Sequence, residues 1–88
     1  VNSRGVRDED GDNSDWIELF NSGPSLASLQ GWLLVAGTDR WVFPSLFLAP
    51  NGRLRVFASG KNRTNDTARL HTSFRLSSAG ERLALLNA

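Results

Sequence analysis

The chain has 88 residues, of which 40% are hydrophobic and 22% charged, and its formal net charge is +1. This balance is typical of one folded globular domain, here expected over residues 1–88, and excludes a disordered or strongly basic chain. No cysteine is present, which excludes disulfides and thiolate metal sites. No apolar run approaches the roughly 20 residues that cross a bilayer, so we expect no membrane insertion. We also expect a monomer.

The chain opens with a short polar segment and an acidic loop. Val1 to Arg7 is interpreted as the remnant of an opening strand. Asp8 to Asp15 predicts a loop, because Asp, Asn, Ser and Gly favour turns. In Trp16 to Phe20 apolar residues alternate, with Ile17 and Leu19 on one face, which predicts a strand buried on that side.

The middle of the chain contains two further predicted strands and two turns. After the turn at Asn21 to Pro24, Leu26 and Leu29 are expected to anchor a connection. Gly31 to Val35 predicts a strand covered on both faces, and Arg40 to Phe43 predicts another, which ends at Pro44. Asn51-Gly52 is a strong signal for a β-hairpin.

In the second half of the chain, apolar and polar residues alternate in three segments. Arg53 to Ala58 predicts a strand with Arg53, Arg55 and Phe57 outward, and Ser59 to Ala68 predicts a mobile surface loop. Arg69 to Leu76 predicts a strand with His71 outward. A turn at Ser77 to Gly80 precedes a last strand over Glu81 to Leu86, in which Leu83 and Leu85 face inward.

About seven short strands separated by turns predict an all-β fold, an immunoglobulin-like antiparallel β-sandwich. A small open barrel is the alternative. In the sandwich, apolar side chains from both sheets fill the space between them. The expected core consists of Ile17, Leu19, Leu34, Trp41, Phe43, Leu54, Val56, Phe74, Leu76, Leu83 and Leu85.

Five sequence motifs occur in a characteristic order, namely DEDGDNSDWIELFN, LQGWLL, RWVFP, FASGKNR and LHTSFRLSSAGERLALLN. This series, from about Asp8 to Asn87, resembles the lamin tail domain family, and especially its bacterial extracellular members. The resemblance implies an immunoglobulin-like sandwich that is not itself an enzyme. Bacterial members resemble accessory modules of secreted or cell-surface proteins, whereas the related animal domain is the tail of nuclear lamins.

The resemblance also implies structural roles for recurrent positions of the family, and it has two departures. The opening strand is missing or shortened, which leaves the state of one sheet edge open. Val35 and Val42 stand where the pattern is more often polar, so we expect an extra apolar patch at the surface. The recurrent positions are Asp15, Trp16, Ile17, Glu18, Leu19, Asn21, Gly60, His71, Phe74 and Gly80.

The acidic loop is a candidate Ca²⁺ site, because Ca²⁺ takes 6–8 oxygen ligands. The candidate ligands are Asp8, Asp10, Asp12 and Asp15. The EF-hand template does not fit, because its twelfth position is Leu19 rather than a bidentate Glu. The alternative is a solvated turn in which the aspartates cap backbone amides.

A second candidate site consists of basic side chains on two predicted strands together with one aromatic ring. Arginine forks bind phosphates and a ring stacks on a base, so such a face suits nucleic acid or another polyanion. The alternative is a set of ordinary solvated arginines that also protect a sheet edge. The residues are Arg53, Arg55, Phe57, Arg69, His71 and Arg75.

Two further interpretations concern sugars and catalysis. Three tryptophans, Trp16, Trp32 and Trp41, form either a sugar-stacking platform or part of the core. A Ser-His-Asp set of Ser59, His71 and Asp66 rests on composition alone, without a nucleophile-elbow motif. We therefore expect no enzymatic activity and no required cofactor.

The preferred functional hypothesis is a non-catalytic interaction or spacer module of a larger secreted or cell-surface bacterial protein. Its partners would be neighbouring domains or another protein. The alternatives are an accessory domain that binds nucleic acid and a carbohydrate-binding module stabilised by Ca²⁺. A eukaryotic lamin-like chain would instead be nuclear.

Overall fold

Alternating apolar residues place most of the strands where the sequence predicts them. The computed structural model describes residues 7–76 and 83–87. Every regular element within these two ranges is a β-strand, and none is a helix. The strands are β1 (Trp16–Phe20), β2 (Ala27–Ser28), β3 (Leu33–Ala36), β4 (Asp39–Val42), β5 (Phe47–Leu48), β6 (Arg53–Phe57), β7 (Leu70–His71) and β8 (Leu83–Leu86).

The strands form two three-stranded sheets and one small two-stranded sheet. The order is β1-β6-β7 in one sheet and β4-β3-β8 in the other, and β2 pairs with β5. All pairs are antiparallel except β6 with β7, which is parallel. The prediction of an immunoglobulin-like β-sandwich is confirmed, with the correction that one strand pair is parallel.

The hydrophobic core lies between the inner faces of the two larger sheets. Six of the expected core residues are buried, and Leu19, Leu54 and Leu76 pack against them with partial exposure. Trp41 and Phe43 meet edge to face with ring centroids 4.8 Å apart, a favourable arrangement for aromatic pairs. The six are Ile17, Leu34, Trp41, Phe43, Val56 and Phe74.

The prediction that two leucines of the last strand belong to the core is wrong. Leu83 and Leu85 are each 37% exposed, because β8 is an edge strand that pairs only with β3. An edge strand lacks a neighbour on one side, so its inward side chains remain open to solvent there. Leu26, expected as an anchor, is exposed, whereas Leu29 is buried as predicted.

The predicted strand over Arg69 to Leu76 is shorter in the structure. Only Leu70 and His71 form β7, and the chain then turns so that the Thr72 hydroxyl donates a hydrogen bond to the Phe74 carbonyl over 2.7 Å. Leu70, His71 and Thr72 are all buried. The alternation of buried and exposed residues therefore breaks at His71.

The Asn51-Gly52 pair forms a turn but not the predicted hairpin. Asn51 has φ of 63°, and a side chain at Gly52 would come within 2.7 Å of the Ala49 carbonyl oxygen. The flanking strands pair elsewhere, β5 with β2 and β6 with β1. The turn thus transfers the chain from one sheet to another.

Parts of three predictions lie outside the described residues. These are most of the opening segment (1–6), the turn at 77–80 and the first two residues of the last strand (81 and 82). The described residues contain no helix long and apolar enough to cross a membrane.

The core predicts a sharp contrast between two phenylalanines. Phe43 is 2% exposed and Phe47 is 64% exposed. We expect Phe43→Ala to lower the free energy of unfolding by about 3–5 kcal/mol, because it leaves a cavity beside Trp41. The matched change Phe47→Ala should alter it by less than about 0.5 kcal/mol. Urea unfolding of both variants measures the difference, and comparable losses would contradict this assignment of the core.

Candidate functional site

The conformation of the acidic loop, residues 8–15, depends on hydrogen bonds to the side chain of Asp8. Asp8 Oδ1 accepts hydrogen bonds from the backbone N–H groups of Asp10 and Asp12, each over 3.0 Å. The Asp8 carbonyl also accepts the N–H of Gly11 over 2.9 Å, and Gly11 has φ of 83°. An aspartate followed by a glycine with positive φ therefore closes the loop locally, as turn-forming residues do.

The other Asp8 carboxylate oxygen binds a lysine from a distant part of the chain. Lys61 Nζ donates to Asp8 Oδ2 over 2.6 Å, to Asp10 Oδ2 over 2.9 Å and to Asp12 Oδ2 over 2.7 Å. We call these four residues the Lys61 cluster. The Asp8 side chain is fully buried, and that of Lys61 is 20% exposed. The ammonium thus occupies the centre of the three carboxylates.

The charges of the Lys61 cluster stabilise each other. Hydrogen bonds to Asp12 and Asp8 raise the pKa of Lys61, although burial opposes the rise. Burial raises the pKa of the Asp8 carboxyl, but the bond from Lys61 and two backbone N–H groups outweigh it, and this pKa falls. Hydrogen bonds from Arg63 and Lys61 lower the pKa of Asp10 to about 2. Lys61, Asp8 and Asp10 are therefore ionised at neutral pH.

Glu9, next to the cluster, binds a buried histidine and an arginine. His71 Nε2 lies 2.8 Å from Glu9 Oε1, and Arg63 Nη1 donates to Glu9 Oε2 over 2.7 Å. Burial raises the pKa of Glu9, but the hydrogen bonds from His71 and Arg63 outweigh it, and the pKa falls to about 2. Because a carboxylate only accepts, His71 Nε2 carries a hydrogen.

The second ring nitrogen of His71 contacts a buried serine. His71 Nδ1 lies 2.7 Å from Ser59 Oγ, and the N–H of Lys61 donates to the same oxygen over 3.1 Å. Ser59 and His71 are both buried, and the imidazole stacks on Phe57 with centroids 5.3 Å apart. These contacts agree with the structural role that the family resemblance implies for His71.

The catalytic set that composition suggested does not form. Ser59 and His71 are in contact, but the third member is Glu9 rather than Asp66, whose carboxylate accepts the N–H of Ala68. Ser59 is 3% exposed, so a substrate does not reach its hydroxyl. The arrangement therefore serves structure, since a nucleophile must contact its substrate.

The structure brings together three of the four candidate Ca²⁺ ligands. Carboxylate oxygens of Asp8, Asp10 and Asp12 lie within 4.8 Å of one another. Asp15 is not in this group, and its carbonyl accepts the N–H of Ala58. Ca²⁺ at this loop stays a prediction, and the ion would compete with the Lys61 ammonium for the same oxygens. Asp8, Glu9 and His71 form a second group with the same spacing.

The candidate polyanion face is divided among several environments. Arg53 Nη1 donates to Glu18 Oε1 over 3.0 Å and lies over the Phe20 ring, while Arg55 lies over the Trp16 ring at 4.7 Å. β6 and β7 are neighbours, with Val56 opposite Leu70, so Arg55 and Arg69 come side by side. Polyanion binding stays a prediction.

Three other members of that face are in different environments. Phe57 and His71 are buried, which corrects the expectation that they face solvent. Both face outward from the sheet, but Glu9 and the start of the acidic loop lie over them. The Arg75 side chain lies beside Gly60. The Arg75 backbone pairs with Ser59 in an isolated bridge outside the named strands.

The three tryptophans do not form a sugar platform. Trp41 is buried, and its Nε1 donates to Asn62 Oδ1 over 3.2 Å. Trp32 packs against the core, and Trp16 is partly covered by Arg55. The three rings therefore do not form one open surface.

Three residues of the site were missed from the sequence. Lys61 and Arg63 lie in the segment predicted as a mobile loop, and Glu9 was not among the candidate ligands. The available signal was the charge distribution, with six of nine acidic residues between Asp8 and Glu18 and most basic residues after Arg53. The acidic and basic segments bind each other through these residues.

The Lys61 cluster predicts a specific loss of stability. Lys61→Met keeps the aliphatic stem but leaves the buried Asp8 carboxylate without its partner. We expect the free energy of unfolding to fall by about 3 kcal/mol, the lower end for breaking a buried pair, because Asp10 and Asp12 contact water. Arg69→Met is the control, since Arg69 contacts Asp66 only loosely, at 3.8 Å. Urea unfolding at neutral pH measures both variants. An equal loss of stability in Lys61→Met and Arg69→Met would contradict the role of Lys61.

The low pKa of Glu9 predicts acid sensitivity. The folded pKa of about 2 is below the ordinary value of 4.5, so this stabilisation is complete above about pH 5. It is lost as the pH falls towards 2. We expect Glu9→Gln to be less stable than the wild type at pH 6, with a difference that shrinks by pH 2.5. Urea midpoints across this range measure it, and a constant difference would contradict the coupling.

Comparison with known proteins agrees with the fold and with the order of motifs. The family model described as Lamin Tail Domain matches residues 3–88. No curated protein and no solved structure matches the chain. Because the family model covers nearly the whole sequence, the chain belongs to the lamin tail domain family.

Proposed function

We propose that the chain is a non-catalytic interaction module of a larger secreted or cell-surface bacterial protein, and that it contacts an adjoining domain of that protein. Membership of an immunoglobulin-like, non-enzymatic family supports the general role. The reactive side chains of the site support it as well, because His71 and Ser59 are buried and bonded to each other. Because these reactive groups are buried, another molecule would bind to the surface of the domain rather than react with it.

The observation that carries the proposal is an apolar strip on the outer face of the β4-β3-β8 sheet. Val42, Leu33 and Leu86 form one row across the three strands, since Leu33 pairs with both of the others. Val42 is 54% and Leu86 49% exposed, and Val35 continues the strip with partial exposure. The expected apolar patch around Val35 and Val42 is thus confirmed.

The composition of the strip favours a protein partner. Exposed apolar rows on a sheet are typical of surfaces that another protein covers. Arg40, in the neighbouring row of β4, supplies a charge at the rim, as interfaces with an apolar centre and a polar rim do. The strip contains no ionisable group in the row from Val42 to Leu86, so no desolvation of charge opposes docking.

The test uses the full-length protein and its separately produced adjoining domains. We expect these domains to shift the NMR signals of β3, β4 and β8 in the labelled chain, and Val42→Lys to weaken binding by about tenfold or more. Phe47→Lys is the matched control, because Phe47 is an exposed apolar residue on the separate β2-β5 sheet.

Two outcomes would contradict the proposal. Equal weakening by Val42→Lys and Phe47→Lys would show that the strip is not the contact surface. Absence of binding to any adjoining domain, together with a monomer in gel filtration, would leave the chain as a spacer.

A further inference from the structure

A second surface feature lies on the other large sheet and is independent of the apolar strip. Three arginines border a depression of about 300 Å³ on the outer face of the β1-β6-β7 sheet, with Phe57 at its base. We call it the arginine pocket, formed by Arg7, Arg55 and Arg69. Its volume is at the small end of the range for pockets that bind small molecules.

The backbone determines how the three arginines meet. The parallel register of β6 and β7 sets Val56 opposite Leu70, and both of these are fully buried. The residues just before them, Arg55 and Arg69, therefore point together to the outer face. Arg7 arrives from the acidic loop, where its Nη1 donates to the Gly11 carbonyl over 3.0 Å.

Other contacts hold two of these guanidinium groups in position. Arg55 is stacked on the Trp16 ring at 4.7 Å, and Arg7 is held by its bond to the loop that it precedes. The β1 residue opposite Arg55 is Glu18, but its carboxylate bonds to Arg53 instead. A side chain that is already ordered loses less entropy when it binds a ligand.

The acidic groups at the pocket are bonded to other side chains. Asp8 and Glu9 also border the depression, but Asp8 bonds to Lys61, and Glu9 to His71 and Arg63. Among residues 7–76 and 83–87, neither Arg7 nor Arg55 has a carboxylate within 4.0 Å. Arg69 contacts Asp66 only at 3.8 Å. Three arginines against two carboxylates leave the side chains that line the pocket with a net charge of +1.

We infer that the arginine pocket binds the phosphate monoester group of a small ligand through Arg7, Arg55 and Arg69. Guanidinium forks match the oxygen geometry of a phosphate, and a phosphate offers more oxygens to the three guanidinium groups than a carboxylate does. Phe57 is nearly buried and the Trp16 face is taken by Arg55, so neither ring is open for a nucleobase. The pocket thus recognises the anionic group rather than a base.

Titration of the whole chain tests this inference. The probes are glucose 6-phosphate, inorganic phosphate and, for a longer polyanion, a single-stranded oligonucleotide without terminal phosphates. We expect glucose 6-phosphate to give saturable NMR shifts at Arg7, Arg55 and Arg69, and added salt to weaken binding. Arg55→Gln and Arg69→Gln should each weaken it by about tenfold.

The control variant and the remaining probes distinguish specific binding at the pocket from general charge attraction. Arg40→Gln, an exposed arginine on β4 in the other sheet, should bind as the wild type does. Binding of inorganic phosphate equal to that of glucose 6-phosphate would support the site and identify free phosphate as a sufficient ligand. Melting curves of the variants show that they remain folded, and the wild-type shifts locate the site without any substitution.

Three results would overturn the inference. The first is the absence of saturable shifts at about 10 mM glucose 6-phosphate, ten times a millimolar Kd. The second is an equal loss of binding in Arg40→Gln, which would indicate general charge attraction. The third is binding of the oligonucleotide alone, which would indicate a face that follows a polymer backbone. None of these results bears on the apolar strip.

Discussion

The ammonium group of Lys61 lies among the carboxylates of Asp8, Asp10 and Asp12, and the position of the acidic loop depends on this contact. The loop precedes β1, and Lys61 follows β6, so the interaction joins segments that are far apart in sequence. Asp8 is fully buried and its backbone turn is closed by its own carboxylate. Without the lysine, a buried negative charge would remain, which is much more costly than losing an exposed pair.

The loop that Lys61 holds determines which chemistry remains accessible. Glu9 lies over the outer face of the β1-β6-β7 sheet and bonds to His71 there, so the only histidine of the chain is closed off from solvent. Ser59 completes the same buried set. Groups that would suggest catalysis on an open surface thus stabilise the domain, in agreement with a family of non-enzymatic modules.

The two outer faces of the sandwich carry different kinds of side chain. The β4-β3-β8 sheet carries an apolar row, and the β1-β6-β7 sheet carries charged and aromatic side chains that stack on each other, such as Arg55 on Trp16. The acidic loop covers only part of the second face, leaving Arg55 and Arg69 at its border. One domain therefore presents two surfaces of different character, one with an apolar row and the other bordered by arginines.

Local patterns in the sequence determined the fold class, half of the buried core and most strand positions, because alternation with period two records which side of a strand is buried. Ile17 and Val56 followed that rule. Leu83 and Leu85 did not, since their exposure depends on β8 being an edge strand, which no local pattern encodes. The Asn51-Gly52 turn was likewise predictable, whereas the sheets that its flanking strands join were not.

The sequence by itself also identified the acidic run, the basic second half and the membership of the family. Only the tertiary structure decided that these two charged segments meet, that a lysine occupies the centre of the carboxylates, and that Phe57 and His71 lie beneath the loop. The physical reason is the same in each case. A side chain's type follows from its position in the sequence, but its partner is set by the return of distant segments, at separations of about fifty residues, to one point in space.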